Sequence, residues 1–428
     1  MRNKLLFFIL ILPLLTLSQE EKKFGIQFSG FVKTDIFYDT RQTDDLREGH
    51  FLILPKNISK DELGNDINDQ SSFNFLSIQT RLAGNITGPD VLKAKTSAYI
   101  EAEFFGTSNA DINGFRLRHA YALMDWKKSE LLVGQFWHPM FITSCFPTTV
   151  SFNTGAPFEP FSRNPQIRYT FRFFDFRAIG TLVAQRDFAN MGPALSVPTA
   201  NISSSEYLRN AGIPEFNLKL EFNKLYPEKN QEFLVGAGID YKSLKPMLTT
   251  SILDTAGKEH KYTTDETVNG ISSFLYFKLK FKPITVKAQA TLAQLSDNLT
   301  MLGGYAVNEI IDSTKNTVGY SPMNVLSIWT DIHSNGVKWE FGLFAGYTKN
   351  NGFETNIVGN QYGRGGSIDH AYRIAPRAVF KPGQMRFAVE VENTVAAYGK
   401  MDMLDKGLVK ETTNVSNLRL LLAVYYMF

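Results

Sequence analysis

Arg116 with Arg118, Arg168 with Arg172, and Arg373 with Arg377 form three arginine pairs whose members stand two or four residues apart. In an extended chain such residues share a face, so each pair would present two guanidinium groups to the same side. A guanidinium is a planar fork that can bind both oxygens of a carboxylate. Arg81 and Arg386 fall on the same side of their own segments, and Glu101 and Glu103 are the acidic counterparts on theirs. The chemistry this suggests is attraction and passage of anions rather than bond breaking. The six histidines, His50, His119, His138, His260, His333 and His370, lie mostly in or beside loops, and His119 falls on the outward register of its strand. There is no GxSxG motif, and Cys145 is the only cysteine, so neither an internal disulfide nor a thiolate zinc site is available. No catalytic residue, cofactor or metal site is expected, and the protein is read as a non-enzyme. A barrel enzyme of lipase or protease type is the alternative from another class.

The elements that must carry these arginines alternate with period two. In the last segment Leu418, Leu420, Leu422, Val424, Tyr426 and Phe428 share one face, and Asn417, Arg419, Leu421, Ala423, Tyr425 and Met427 the other. A final strand ending on an aromatic residue resembles the signal by which bacterial outer-membrane barrels are recognised by their assembly machinery. Seven connections are short, near Asp90, Lys128, Asp175, Pro227, Pro283, Asn335 and Pro382. Eight are longer, over 40–72, 107–114, 138–165, 189–214, 254–269, 297–323, 349–369 and 398–415. Short and long alternate strictly, provided that 232–253 is one long strand bent near Lys245-Pro246. Sixteen strands follow, with both termini on the periplasmic side. The expected fold is all-β, a transmembrane antiparallel β-barrel, closed because every backbone polar group in hydrocarbon needs an internal partner. Sixteen strands enclose an aqueous channel, whereas eight would be filled by side chains.

The ends and composition agree with an exported membrane protein. Arg2 and Lys4, the apolar run Leu5–Leu15 and the short residues Thr16-Leu17-Ser18 read as a signal peptide over 1–18, leaving one barrel domain over 19–428. No later stretch is apolar enough for a spanning helix. Mean hydropathy is only -0.16 while 13% of residues are aromatic, a combination that fits strands with one lipid face and one aqueous face. The net charge of +3 gives no reason to expect a nucleic-acid partner.

On the inward faces of the better-patterned strands, basic residues outnumber acidic ones by about two to one although the whole chain is nearly neutral. An anion preference is expected, with Arg81, Arg116, Arg118, Arg168, Arg172, Arg373, Arg377, Arg386, Glu101 and Glu103 lining the pore. The segment 138–165 is rich in Phe and Pro and carries only Glu159 and Arg163 as formal charges. It is expected to fold into the barrel as a constriction. The acidic stretch Arg41–Ser71 reads as a solvated surface loop rather than a calcium site, since its spacing does not match an EF-hand.

Gly30-Phe31-Val32-Lys33-Thr34-Asp35, Phe115-Arg116-Leu117-Arg118-His119-Ala120, Gly134-Gln135-Phe136-Trp137-His138-Pro139 and Phe161-Ser162-Arg163-Asn164-Pro165-Gln166-Ile167-Arg168 resemble the DcaP-like outer-membrane porins. The resemblance runs over most of the chain and is strongest over 25–175. It implies a homotrimer of sixteen-stranded barrels in outer-membrane lipid that passes small anionic solutes such as dicarboxylates. Members with a helical N-terminal extension differ from this chain, in which only Gln19–Lys23 precede the first strand. A substrate-specific closed channel is the nearer alternative to a general porin.

Overall fold

The computed structural model of the protein describes residues 24–194 and 201–428; the expected leader over 1–18 lies outside them. Sixteen antiparallel strands form the wall and close on themselves. Closure joins Gly25–Asp39 to the last strand, Leu408–Met427, from Phe31 opposite Met427 to Asp39 opposite Arg419. The seam is finished by reciprocal backbone bonds between Gly30 and Phe428 at 3.0 and 3.1 Å. On its other side the first strand pairs with Arg81–Thr87 and, beyond a break, with Ser72–Leu76. No sheet edge is left in the wall, which is the condition for a β-structure in hydrocarbon.

The period-two pattern sorts the faces as the physics requires. In Leu408–Met427, Leu418, Leu420 and Leu422 are exposed on the outside while Asn417, Arg419 and Ala423 are buried inside. In Val268–Lys280, Ile271, Leu275 and Phe277 point out while Ser272, Phe274 and Tyr276 point in. At the end where the connections are short, aromatic rings neighbour one another around the rim: Phe173 with Phe176 at 5.5 Å, Phe233 with Phe281 at 5.8 Å, and Trp339 with Phe380 at 4.7 Å. Such girdles sit at membrane interfaces, where an apolar body and a polarisable ring face are both satisfied. Gly25 and Phe428 both lie at this short-turn end.

Four boundaries differ from the sequence reading. The stretch 232–253 is not one strand: the wall strand Gln231–Leu244 stops, and Thr249–Leu253 pairs with Glu259–Thr263 in a separate hairpin. Pro246, which cannot donate a backbone hydrogen bond, stands in the break. The stretch 398–415 is not a long loop, because Met385–Asp402 and Leu408–Met427 extend outward as paired strands to a tight turn. Cross-strand pairs hold this extension, Lys400 with Glu411 at 3.0 Å and Lys410 with Asp402 at 2.9 Å. The strand begun at Phe176 ends at Val183 rather than at Phe188. Within 297–323 lies a further strand, Gly303–Asp312, paired with Thr317–Ser334 above the wall.

Candidate translocation pathway

Two long connections turn into the barrel. The segment 138–162 leaves the wall after Trp137 and returns at Arg163, and its neck is tied by a bond from the His138 N–H to the Ser162 carbonyl at 3.0 Å. Most of its large apolar side chains are buried: Phe141, Val150, Phe152, Phe158 and Phe161 are all within 5% exposure, and Phe146 is half-buried. The wall supplies the charges that its backbone needs. Val150 and Ser151 donate their N–H groups to the two oxygens of Glu390, each at 2.8 Å. Thr148 donates from backbone and hydroxyl to Asp331, and the Asn153 amide donates to Glu392 at 2.8 Å. Lys33, Lys287 and Arg373 donate to the carbonyls of Val150, Phe146 and Ala156. A buried loop is tolerable only with its polar groups paired in this way.

The other inward piece was missed by the sequence reading. Arg41–Ser71 is a solvated loop only over 56–71; the hairpin Thr43–Leu46 with Phe51–Pro55 is folded inside. Phe51, Leu52, Ile53 and Leu54 are buried to 4% or less. That apolar run was the available signal, overshadowed by the surrounding acids. Arg373 and Arg419 donate to the Ile53 and Gly49 carbonyls at 3.0 and 2.7 Å, and His50 meets Asp35 at 2.8 Å.

The arginines fall into two groups. Most are engaged. Arg118 binds both Glu101 and Glu103, and Arg116 spans Glu103 at 3.1 Å and Asp187 at 3.0 Å. Arg377 binds Asp331 at 2.7 Å, and Arg172 binds Asp125 and Glu130 near the short-turn rim. Arg373 is fully buried against carbonyls and Thr394, with Glu392 at 3.7 Å. Arg168 donates to the Trp137 carbonyl at 2.9 Å and lies over the Phe136 ring. Arg81 is partly accessible beside Glu103 at 3.0 Å, and Arg386 is exposed with no ion pair among the described residues. Asp187, in a loop, is burdened by burial, yet the Arg163 and Arg116 guanidiniums beside it outweigh this and hold its carboxyl below the ordinary range.

Between the inward segment and the short-turn end lies a cavity of about 810 Å³. Arg81, Arg118, Arg386, Lys381, Glu101 and Glu340 line it together with Tyr99, Tyr121, Phe136 and Trp137. His119 also lines it, which corrects its outward assignment. The reason is a β-bulge: Glu101 pairs with His119 while Ala102 pairs with Leu117, so one extra residue turns both Arg118 and His119 inward. A second concavity, about 880 Å³, is on the outer face over Gly180, Ala237 and Ala290, where small side chains leave a dip in the apolar belt; it is unconnected with the charged interior.

No family model matches the sequence, and no curated protein matches it either. Solved structures do. The outer membrane channel DcaP of Acinetobacter baumannii superposes with a TM-score of 0.66 at 16% identity, over 95% of this chain and 97% of that one. An anion-selective porin from Comamonas acidovorans gives 0.53 at 12% identity, over 95% and 100%. The outer membrane protein OmpT of Vibrio cholerae, in a trimer form, gives 0.53 at 10% identity, over 95% and 99%. At these identities the likeness is one of fold, and the fold is that of outer-membrane channels.

Proposed function

We propose that this protein is a bacterial outer-membrane porin through which small hydrophilic solutes diffuse passively, anions such as dicarboxylates in preference. The observation that carries the reading is a closed sixteen-stranded wall, apolar outside and charged inside, with a wall-anchored segment across its interior. Nothing in such a pathway calls for bond-breaking chemistry. Selectivity is assigned to the set Arg81, Arg116, Arg118, Arg168, Arg172, Arg373, Arg377, Arg386, Glu101 and Glu103, but unequally. The unpaired Arg386 and the accessible Arg81 would act on solute directly, and the engaged members would set the shape and field of the passage. The filling of the interior by two inward segments favours a substrate-specific channel over a general pore. A homotrimer, the short-turn end in the periplasm, and insertion by the assembly machinery through the strand ending at Phe428 belong to the same reading. Planar-bilayer recording of the refolded protein under a KCl gradient tests it. Steps in threes with a reversal potential favouring chloride are expected. A silent protein, or a cation preference, would overturn the anion-channel reading.

A further inference from the structure

His138, Glu215 and Asp240 are distant in sequence and meet inside the barrel, all buried, at the neck of the inward segment. His138 opens that segment, Glu215 opens the wall strand Glu215–Tyr226, and Asp240 lies on the neighbouring strand Gln231–Leu244. One ligand atom from each falls within 4.8 Å of the others. His138 Nε2 stands 2.9 Å from a Glu215 oxygen, and the Asp240 carboxylate faces the same point from the neighbouring strand. Two buried carboxylates cannot face each other without a proton or a cation between them. The second Glu215 oxygen and the side-chain oxygen of Asn217 are buried here with no donor, and the Asn217 amide nitrogen donates to Asp240 at 2.9 Å. Lys242 stands 3.3 Å from Glu215 and is also engaged by Asn298 at 2.7 Å.

We propose that this cluster is a structural divalent transition-metal site, best suited to Zn²⁺, that locks the neck of the inward segment to the wall. One imidazole nitrogen, two carboxylates and an amide oxygen make a small mixed N/O set that suits zinc better than calcium, which takes six to eight oxygens. As the metal binds, the proton between Glu215 and Asp240 leaves. His138 at present accepts at Nδ1 from the Met140 N–H at 3.3 Å. To coordinate through Nε2 it would carry its own proton on Nδ1 instead, and the bond from the Met140 N–H would break as that proton arrives. No residue of the solute pathway is used, so the site stands or falls independently of channel selectivity.

The test is calorimetric titration of chelator-stripped, refolded protein with Zn²⁺ alone, alongside Asp240→Asn and His260→Ala. Asp240→Asn keeps the side-chain shape and removes the charge, and heat-modifiable gel mobility verifies that the barrel has folded. One Zn²⁺ per chain is expected, with proton release, at least tenfold weakened by Asp240→Asn and unchanged by His260→Ala, whose exposed pairing with Asp254 is the obvious adventitious site. The bound metal should also quieten open-channel noise. Absence of binding, binding indifferent to Asp240→Asn, or loss in His260→Ala would overturn the proposal. So would a protonated carboxyl infrared band that persists under saturating Zn²⁺ and disappears in Asp240→Asn.

Discussion

Glu390 receives the backbone N–H of Val150 at 2.8 Å, a bond that joins a wall strand to the inward segment across 240 residues of chain. The adjoining Ser151 N–H takes the other carboxylate oxygen, so one side chain closes two orphan donors at once. Glu390→Ala removes both acceptors and leaves two buried N–H donors unpaired, a loss on the order of 3 kcal/mol. The segment should loosen while the barrel persists. Single-channel recording should show higher and noisier conductance, and limited proteolysis should begin to cut within 148–155.

Removal of residues Thr148–Gly155 tests the constriction more bluntly. The segment lies against Glu390, Glu392 and Asp331, so its deletion should widen the passage and raise conductance. A deletion mutant that folds and conducts like the parent would show that the narrowest point lies elsewhere, with the hairpin 43–55 next in line.

Arg386 and Arg118 should separate selectivity from stability. Arg386→Glu reverses an unpaired charge on the cavity wall and should move the reversal potential toward cations with little effect on melting. Arg118→Ala takes the guanidinium from Glu101, which keeps only the Tyr99 hydroxyl among the described residues, while Glu103 retains Arg81 and Arg116, so the loss of these charge-assisted bonds costs on the order of 2 kcal/mol. A lower melting temperature is expected there, read by heat-modifiable mobility.

Glu159 should make the inward segment sensitive to pH. Its carboxyl is fully buried with no ion pair among the described residues, and burial outweighs the nearby Trp329 indole N–H and pushes it well above the ordinary 4.5. The folded segment therefore holds a proton that the unfolded chain releases above about pH 4.5. Stability is fully retained below that pH and falls as pH rises toward the raised value. Glu159→Gln should melt with the parent at pH 4 and above it at pH 7.5. Identical melting at both would mean that the carboxyl finds a partner.

Ile239 lies on the outer belt, more than half exposed. Ile239→Lys puts a charge where lipid is expected, at a cost of about 2–4 kcal/mol near the midplane. Folding yield into vesicles should fall. Ser272→Ala, on the inward face of the adjoining strand, should leave insertion efficiency unaltered.

The sequence by itself determined the wall. Leu418, Leu420 and Leu422 against Asn417, Arg419 and Ala423 state the two faces of a strand, because side chains alternate wherever the backbone is extended. Short turns alternating with longer connections set the strand number, even where 398–415 proved to be strand. Where the sequence reading failed, a local rule was overruled by distant partners. His119 is inward because a single bulged residue at Arg118 shifts the register, and period-two counting has no term for an inserted residue. Phe51–Leu54 is inside because Arg373, Arg419 and Tyr398, more than 300 residues away, bind the carbonyls around it. Arginine counting found the charges but not their partners, since ion pairing depends on which strands become neighbours. The meeting of His138, Glu215 and Asp240 has no trace in any window of the chain; the register between two neighbouring wall strands and the inward turn of one loop bring those three side chains together.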